Sequence, residues 1–180
     1  MADGTTDVVA GARVLVTGAS SGIGAALAVA LARAGATVGI CARRADRLGE
    51  VLDVCRAHAP RSRMWAVDLG DLDAIPAFAA TVETALGGVD VLVNCAGIPK
   101  RRRIPELSEA DLEEVMRVNF FAPVALVRAL LPGMLDRGHG RIVNLTTMGT
   151  HSAAARVGAY CASKAALEMY TEALHLDLLG

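Results

Sequence analysis

The order of apolar and amphipathic segments predicts an alternating α/β chain. Short apolar runs are separated by longer segments whose apolar residues recur at the helical period. The predicted strands are ARVLVT, TVGIC, MWAVD, VDVLVN and RIVNLT, and the predicted helices cover residues 22–34, 44–58, 72–86, 108–135 and 158–179. Strands such as VDVLVN are apolar on both faces, as in a sheet covered by helices on both sides. We therefore expect a Rossmann-like, doubly wound parallel sheet with right-handed crossovers.

The chain is predicted to hold one domain. Residues 1–10 form a predicted N-terminal tail, and residues 11–180 show no repeat or linker. The last predicted helix runs to the end of the chain, although a helix of this sheet type normally leads to a further strand. We therefore expect a fold that lacks its C-terminal part, including the last strand or strands and the substrate lid.

Composition and charge narrow the possible partners. The hydrophobic content of 53% is ample for a core, and the net charge of -1 gives no field that would attract nucleic acid or an anionic membrane. The uncharged segment 14–32 is long enough for a membrane span but is interrupted by glycines and serines. Asp3 and Asp7 stand where a signal peptide would be basic, so we expect a cytoplasmic protein.

The cysteines indicate neither disulfides nor a metal site. Cys41, Cys55, Cys95 and Cys161 are widely spaced, with no CxxC pair and no histidine at ligand spacing. We expect free thiols and no metal.

The stretch VTGASSGIGAALA places three glycines and two serines between the first predicted strand and the first predicted helix. A helix start presents unpaired amide hydrogens that hold phosphate if the backbone can approach closely. The candidate residues are Gly18 for the strand exit, Gly22 for the close approach, Gly24 for helix packing, and Ser20 and Ser21 as hydroxyl donors. The alternative is a plain glycine-rich turn, but the strand-turn-helix context favours phosphate binding.

Four motifs in order resemble the short-chain dehydrogenase/reductase family. Residues 17–24 match its TGxxxGxG signature, and NCAG at residues 94–97 resembles its NNAG with one cysteine departing. VNF centres on Asn119, and YCASK supplies Tyr160 and Lys164 as the YxxxK pair. The motifs extend over almost the whole chain, so the resemblance is specific.

Tyr160 and Lys164 also suggest chemistry by their spacing. They lie four residues apart in a predicted helix, so both side chains project from one face. A free phenol is a poor base at neutral pH, and a nearby ammonium charge favours its ionised form, which suits acid-base work. Taken alone, the pair would fit a packed tyrosine and a solvated lysine; the other motifs favour catalysis.

The resemblance implies a role for each residue. Tyr160 would exchange a proton with the substrate oxygen, Lys164 would also bind the nicotinamide ribose, and Asn119 would hold a water of the proton relay. A hydroxyl thirteen residues before the tyrosine would orient the substrate carbonyl; the family has serine there, and this chain has Thr147. Threonine keeps the hydroxyl but adds a methyl group and a stiffer χ1, which restrict the directions in which the hydroxyl can point.

Cofactor choice depends on the end of the second predicted strand. Arg43 and Arg44 stand where an NAD-preferring protein usually has an acidic residue, so we expect NADP(H) over NAD(H), with Arg43 as the main contact to the 2′-phosphate. The alternative is that these arginines are only solvated. Asp68 resembles the family's adenine-binding acid, although it also fits a helix cap. The full cofactor set is Gly18, Ser20, Ser21, Gly22, Ile23, Gly24, Arg43, Arg44, Asp68, Leu69, Asn94, Ala96, Gly97, Tyr160 and Lys164.

PKRRRIP, residues 99–105, is the one dense run of charge. It fits a solvated loop, but it follows the fourth strand and so could meet an anionic substrate or a phosphopantetheine-type carrier. His151 and Ser152 fit either ordinary loop residues or polar contacts to substrate.

Three functions remain open at this point. The first is an NADP(H)-dependent oxidoreductase acting on a carbonyl or secondary alcohol, as the resemblance implies, with homo-oligomers built through the last two long helices. The second is a nucleotide-binding module or inactive fragment without turnover. The third is a scaffold that uses only the fold, which four intact motifs argue against.

Overall fold

The computed structural model describes residues 9–152 and 154–179, so most of the predicted tail lies outside the described residues. Five parallel strands form one sheet in the order β3-β2-β1-β4-β5. They are β1 (Arg13–Thr17), β2 (Thr37–Ala42), β3 (Arg63–Ala66), β4 (Val91–Asn94) and β5 (Arg141–Asn144). The doubly wound parallel sheet predicted from the sequence is confirmed.

Helices cover both faces of this sheet. They are α1 (Gly22–Arg33), α2 (Ala45–Arg56), α3 (Ile75–Leu86), α4 (Glu109–Met116), α5 (Ala122–Asp136) and α6 (Gly158–Asp177). Successive residues of β1 face opposite sides. Val14 and Val16 are buried with residues of α1 and α2, whereas Leu15 is buried with residues of α3 and α5. The sheet is therefore the middle layer between two apolar cores.

The helix predicted over residues 108–135 differs in one respect: it is interrupted by a π-helical turn, Arg117–Phe121. There Ala122 N donates to the carbonyl of Arg117, five residues earlier. Pro123 has no N–H for the carbonyl of Asn119, which would be its α-helical acceptor, and this favours the wider turn. The prediction of an uninterrupted helix missed this local rearrangement.

The combined stretch Glu109–Asp136 is long and apolar enough to cross a membrane by length and composition alone. Its residues Leu126, Val127 and Leu130 are buried in the core formed with α3 and the sheet. The core helix of a soluble protein passes the same test, so this stretch is weak evidence for a span. The segment 14–32 noted in the sequence is divided between β1, a loop and α1.

Strand β1 is tied to β4 at the amino ends of both strands by Arg13 and Asp90. Arg13 donates to Asp90 Oδ2 from its backbone N at 2.9 Å and from Nε at 2.8 Å, and its Nη2 contacts Oδ1. His139 Nε2 lies 3.2 Å from the same Oδ1. The hydrogen bonds from Arg13 hold the pKa of Asp90 well below its usual range.

We expect Asp90→Asn to lower the free energy of unfolding at neutral pH by about 1.5–3 kcal/mol, since it weakens charge-assisted hydrogen bonds. Because folding lowers the pKa of Asp90, its stabilising contribution is complete above the unfolded pKa and is lost as pH falls toward the folded one. The wild type should therefore lose more stability than the variant on acidification. Chemical denaturation at several pH values measures both effects.

Glu50→Gln is the matched control, because the Arg47–Glu50 pair is exposed and spans 3.5 Å. It should change stability by less than about 0.5 kcal/mol. Equal effects of the two substitutions would contradict the structural role given to Asp90.

Candidate functional site

A cavity of about 560 Å³ opens at the carboxyl ends of the strands, where the chain order reverses between β1 and β4. Such a switch point is where ligands of open α/β sheets bind. Most of the predicted site residues line it: Gly18, Ser20, Ser21, Ile23, Gly24, Arg43, Arg44, Asp68, Leu69, Ala96, Gly97, Tyr160 and Lys164. Gly22, Asn94, Asn119 and Thr147 are predicted site residues that do not line this wall.

The glycine loop is closely packed against its surroundings. Gly18 has φ +68°, and a methyl group there would lie 2.7 Å from Cα of Ala96. A methyl group at Gly24 would lie 2.6 Å from the carbonyl oxygen of Gly18. Gly22, at φ +58°, has open space instead, at the exposed start of α1. The loop therefore needs glycine at two positions for packing and at Gly22 for backbone conformation.

Thr17 is a positioning residue that sequence reasoning did not single out. Its side chain is buried, and Oγ1 accepts hydrogen bonds from Cys95 N and Ala96 N, each at 3.0 Å. This hydroxyl joins the glycine loop to the loop after β4. The only sequence signal was a threonine directly before the first glycine, and it gave no indication of which backbone groups the hydroxyl would bind.

The two arginines after β2 differ in their contacts. Arg44 donates to Ser20 Oγ from Nη2 at 2.9 Å and to Ser21 Oγ at 2.8 Å. Arg43 is exposed on the cavity wall and makes no side-chain hydrogen bond within the described residues. Arg44 thus braces the glycine loop, while the Arg43 guanidinium has all its donors available.

Asp68 and Leu69 form the part of the wall that follows β3. Asp68 Oδ1 accepts from Gly70 N at 2.9 Å, so the carboxylate stabilises its own turn and not a helix start. Asp68 is exposed, whereas Leu69 is buried in the core and also borders the cavity.

Tyr160 and Lys164 lie in the first two turns of α6 and share the cavity wall. Lys164 is only 3% exposed, and its Nζ donates to the carbonyl of Leu145 at 2.8 Å. Burial lowers the pKa of Lys164, since a charged ammonium loses its hydration there. Cys95 lines the same wall; burial raises the pKa of its thiol, and the charge of Lys164 opposes that rise.

Asn119 lies in the π-helical turn and is fully buried. Its Oδ1 accepts from Ile98 N at 2.8 Å, and Nδ2 donates to Ile98 O and to Ser163 Oγ, each at 3.0 Å. Ser163, a second residue that sequence reasoning missed, donates in turn to Tyr160 O. Asn119 therefore links the loop after β4 to the helix that carries Tyr160.

Asn94 and Thr147 are not among the residues that line the cavity. Asn94 is buried, and its Nδ2 donates to Asn144 Oδ1 at 2.8 Å, which joins the ends of β4 and β5. Thr147 follows β5 as expected, but its Oγ1 accepts from Gly149 N at 3.2 Å, and its neighbour Thr146 lines the cavity instead.

Known proteins resemble this chain over most of its length. The short chain dehydrogenase family model matches residues 12–180. The chain belongs to the short-chain dehydrogenase family. A fatty acyl-CoA reductase of Mycobacterium tuberculosis is 41% identical over 170 residues, which are 93% of this chain and 58% of that protein. An uncharacterized oxidoreductase of the same species is 42% identical, over 95% of this chain and 52% of its own.

Solved structures of dehydrogenases and oxidoreductases have the same fold. A metagenomic short-chain oxidoreductase in complex with NADP matches with a TM-score of 0.88 and 35% identity, over 94% of this chain and 77% of its own. NAD⁺-bound xylitol dehydrogenase matches with a TM-score of 0.89 and 26% identity, over 96% of this chain and 66% of its own. The chain spans about half the length of the curated relatives it matches.

We expect Gly24→Ala to lower the free energy of unfolding by about 1–3 kcal/mol, because its methyl group meets backbone that must move. Gly49→Ala, inside α2, is the matched control: its methyl group meets nothing within 4 Å. That change should stabilise the helix by up to about 1 kcal/mol. Chemical denaturation of both variants measures the difference, and a neutral Gly24→Ala would contradict the close packing described above.

Proposed function

We propose that the protein is an NADP(H)-dependent oxidoreductase that transfers a hydride between the nicotinamide and a carbonyl or secondary alcohol. The observation that carries the proposal is that Tyr160 and Lys164 share one cavity with the glycine loop. A nucleotide-binding loop and an acid-base pair in one cavity suit a dehydrogenase. The fatty acyl-CoA reductase among its relatives supports a carbonyl substrate.

The residues present fit a dinucleotide. The amide-rich start of α1 would hold the pyrophosphate, with Ser20 and Ser21 as further donors. Arg43 would bind the 2′-phosphate, because its guanidinium is exposed on the wall and has free donors. Asp68 would accept a hydrogen bond from the adenine amino group. The NADP complex among its structural neighbours supports this choice, although the NAD⁺-bound neighbour shows that the fold accepts both cofactors.

The nicotinamide supplies or accepts the hydride when the cofactor is bound. In the reducing direction, Tyr160 donates its phenolic proton to the substrate oxygen as the carbonyl becomes an alcohol. The ammonium of Lys164 would stabilise the phenolate that remains, since Lys164 is buried and opposite charges interact more strongly at low dielectric. Lys164 would also hydrogen-bond the nicotinamide ribose, because the Leu145 carbonyl takes only one of its three donors.

Asn119 and Thr147 complete the proposed proton path and substrate site. Asn119 uses both N–H groups within the protein, so a relay water would be held by the free lone pair of Oδ1 or by the adjoining Ile98 carbonyl. Thr147 accepts from Gly149 N, which leaves its hydroxyl hydrogen to orient a substrate carbonyl.

A non-catalytic NADP(H)-binding module is the second candidate. It is favoured by Thr147, whose hydroxyl is bound to its own loop and whose neighbour lines the cavity. In that case the nucleotide would bind but no hydride would be transferred.

We also propose a cytoplasmic homo-oligomer. The faces of α5 and α6 carry exposed apolar side chains, among them Leu135, Met169 and Leu176, which suit contact with a second copy. The proposal includes no nucleic-acid or membrane partner, in keeping with the net charge of -1.

NADPH should raise the melting temperature of the chain more than NADH does, because a ligand that binds only the folded state stabilises it. Arg43→Ala should weaken NADPH binding by about tenfold while leaving NADH binding nearly unchanged. The measurement is a thermal-unfolding titration with each cofactor. Arg47→Ala, an exposed arginine of α2 paired with Glu50, is the control and should preserve the NADPH effect. Equal effects of the two cofactors on the wild type would contradict the preference.

Tyr160→Phe should lower NADPH oxidation with aldehydes and ketones by about 10²–10⁴-fold, since the general acid is lost. The NADPH-induced rise in melting temperature should remain. Tyr170→Phe is the control: the second tyrosine lies on the same helix but packs edge-on against Phe120, outside the cavity wall. A wild type that binds NADPH without turnover would support the non-catalytic module instead.

A further inference from the structure

The loop after β4 carries four consecutive basic residues, 100–103, beside the cavity. Two of them have carboxylate partners on α4. Lys100 Nζ lies 3.1 Å from Asp111 and 2.6 Å from Glu114, and Arg102 Nε lies 3.7 Å from Asp111. The carboxylates of α4 thus pair with the first and third residues of the run, Lys100 and Arg102.

Arg101 and Arg103 are the other alternate pair. Both side chains are exposed, and neither forms an ion pair with any residue that the structure describes. Arg101 also lines the cavity. Within the part of the chain that the structure describes, Arg101 and Arg103 therefore lack the carboxylate partners that Lys100 and Arg102 have.

This loop lies against the residues that lead into α6. Arg102 N donates to the carbonyl of Arg156 at 3.0 Å, and a methyl group at Gly158 would lie 2.8 Å from Cδ1 of Ile104. The exposed side chain of Arg156 thus adds a third cation beside the loop. Arg101 shares the cavity wall with Tyr160, and Arg156 directly precedes Val157, which also lines it; Arg103 and Arg156 themselves lie outside the lining.

Two large apolar side chains are exposed near the start of α6, outside the cavity lining. Ile104 is 70% exposed, beside the start of α6. Met148 is 80% exposed in the turn after β5, whose Gly149 packs against Cys161 of α6. Exposed apolar side chains next to cations suit a ligand with one apolar and one anionic part.

We propose that this basic rim, formed by Arg101, Arg103 and Arg156, binds the phosphate of an acyl chain carried on phosphopantetheine, while Ile104 and Met148 contact the acyl chain. The inference rests on the proposed function, since it names the substrate class of the same site. A small neutral ketone would use neither the cations nor the apolar side chains. The cofactor phosphates would bind elsewhere, at the glycine loop that follows β1.

The test compares two probes that differ only in the phosphate: decanoyl-phosphopantetheine and decanoyl-pantetheine. Calorimetric titration into the chain saturated with NADPH should give about tenfold tighter binding of the phosphorylated probe at low salt, and the difference should shrink as salt rises. The Arg101→Gln/Arg103→Gln double variant should lose most of this difference. Arg102→Gln, which removes the same charge from the same loop, should keep it.

The outcomes separate this proposal from the proposed function. Equal affinities for the two probes, no binding of either, or an equal loss in the double variant and Arg102→Gln would overturn the basic rim. Repeating the titration without NADPH tests the rim even if the nucleotide site fails. Decanoyl-CoA distinguishes the sources: tighter binding than decanoyl-phosphopantetheine indicates a free coenzyme thioester, and equal binding indicates a carrier-borne arm.

Discussion

The contact between the glycine loop and the loop after β4 is the constraint on which the site depends. The two strands are neighbours in the sheet although three helices and two strands separate them along the chain. The hydroxyl of Thr17 accepts from two successive amides of the β4 loop, and Gly18 lies where Ala96 leaves no room for a methyl group. A side chain there would separate the loops and widen the cavity between them.

A second contact brings α6 to this junction. The π-helical turn places the Asn119 amide between the backbone of Ile98 and the hydroxyl of Ser163, so that three distant segments meet on one side chain. A methyl group at Gly97 would lie 3.3 Å from Asn119 Oδ1 and 3.7 Å from Lys164 Nζ. The same glycine-bearing loop therefore borders both the structural amide and the ammonium of the site.

Most of the fold followed from local patterns, because apolar periodicity and glycine placement are properties of adjacent residues. Most of the cavity wall was predicted from the resemblance of four motifs to a known family, and the strands and helices were predictable from these local patterns. The π-helical turn was not, since it depends on Pro123 and on partners of Asn119 that lie far away in sequence. The hydrogen bond from Gly149 N to Thr147 Oγ1 and those from Arg44 to Ser20 and Ser21 were not predictable either, because a motif specifies residue types but not which hydrogen bonds they form.

Burial of the Lys164 ammonium lowers the stability of the fold. Its charge has lost most of its hydration, and no carboxylate among the described residues pairs with it. Among the described residues, the Leu145 carbonyl accepts its hydrogen bond. That carbonyl is held in place because Leu145 N donates to Asn94 O and Asn94 Nδ2 donates to Asn144 Oδ1. The ends of β4 and β5 thus fix a buried cation on the cavity wall that Tyr160 also lines. In the proposed mechanism, a negative charge forming on the phenol would act as its counterion.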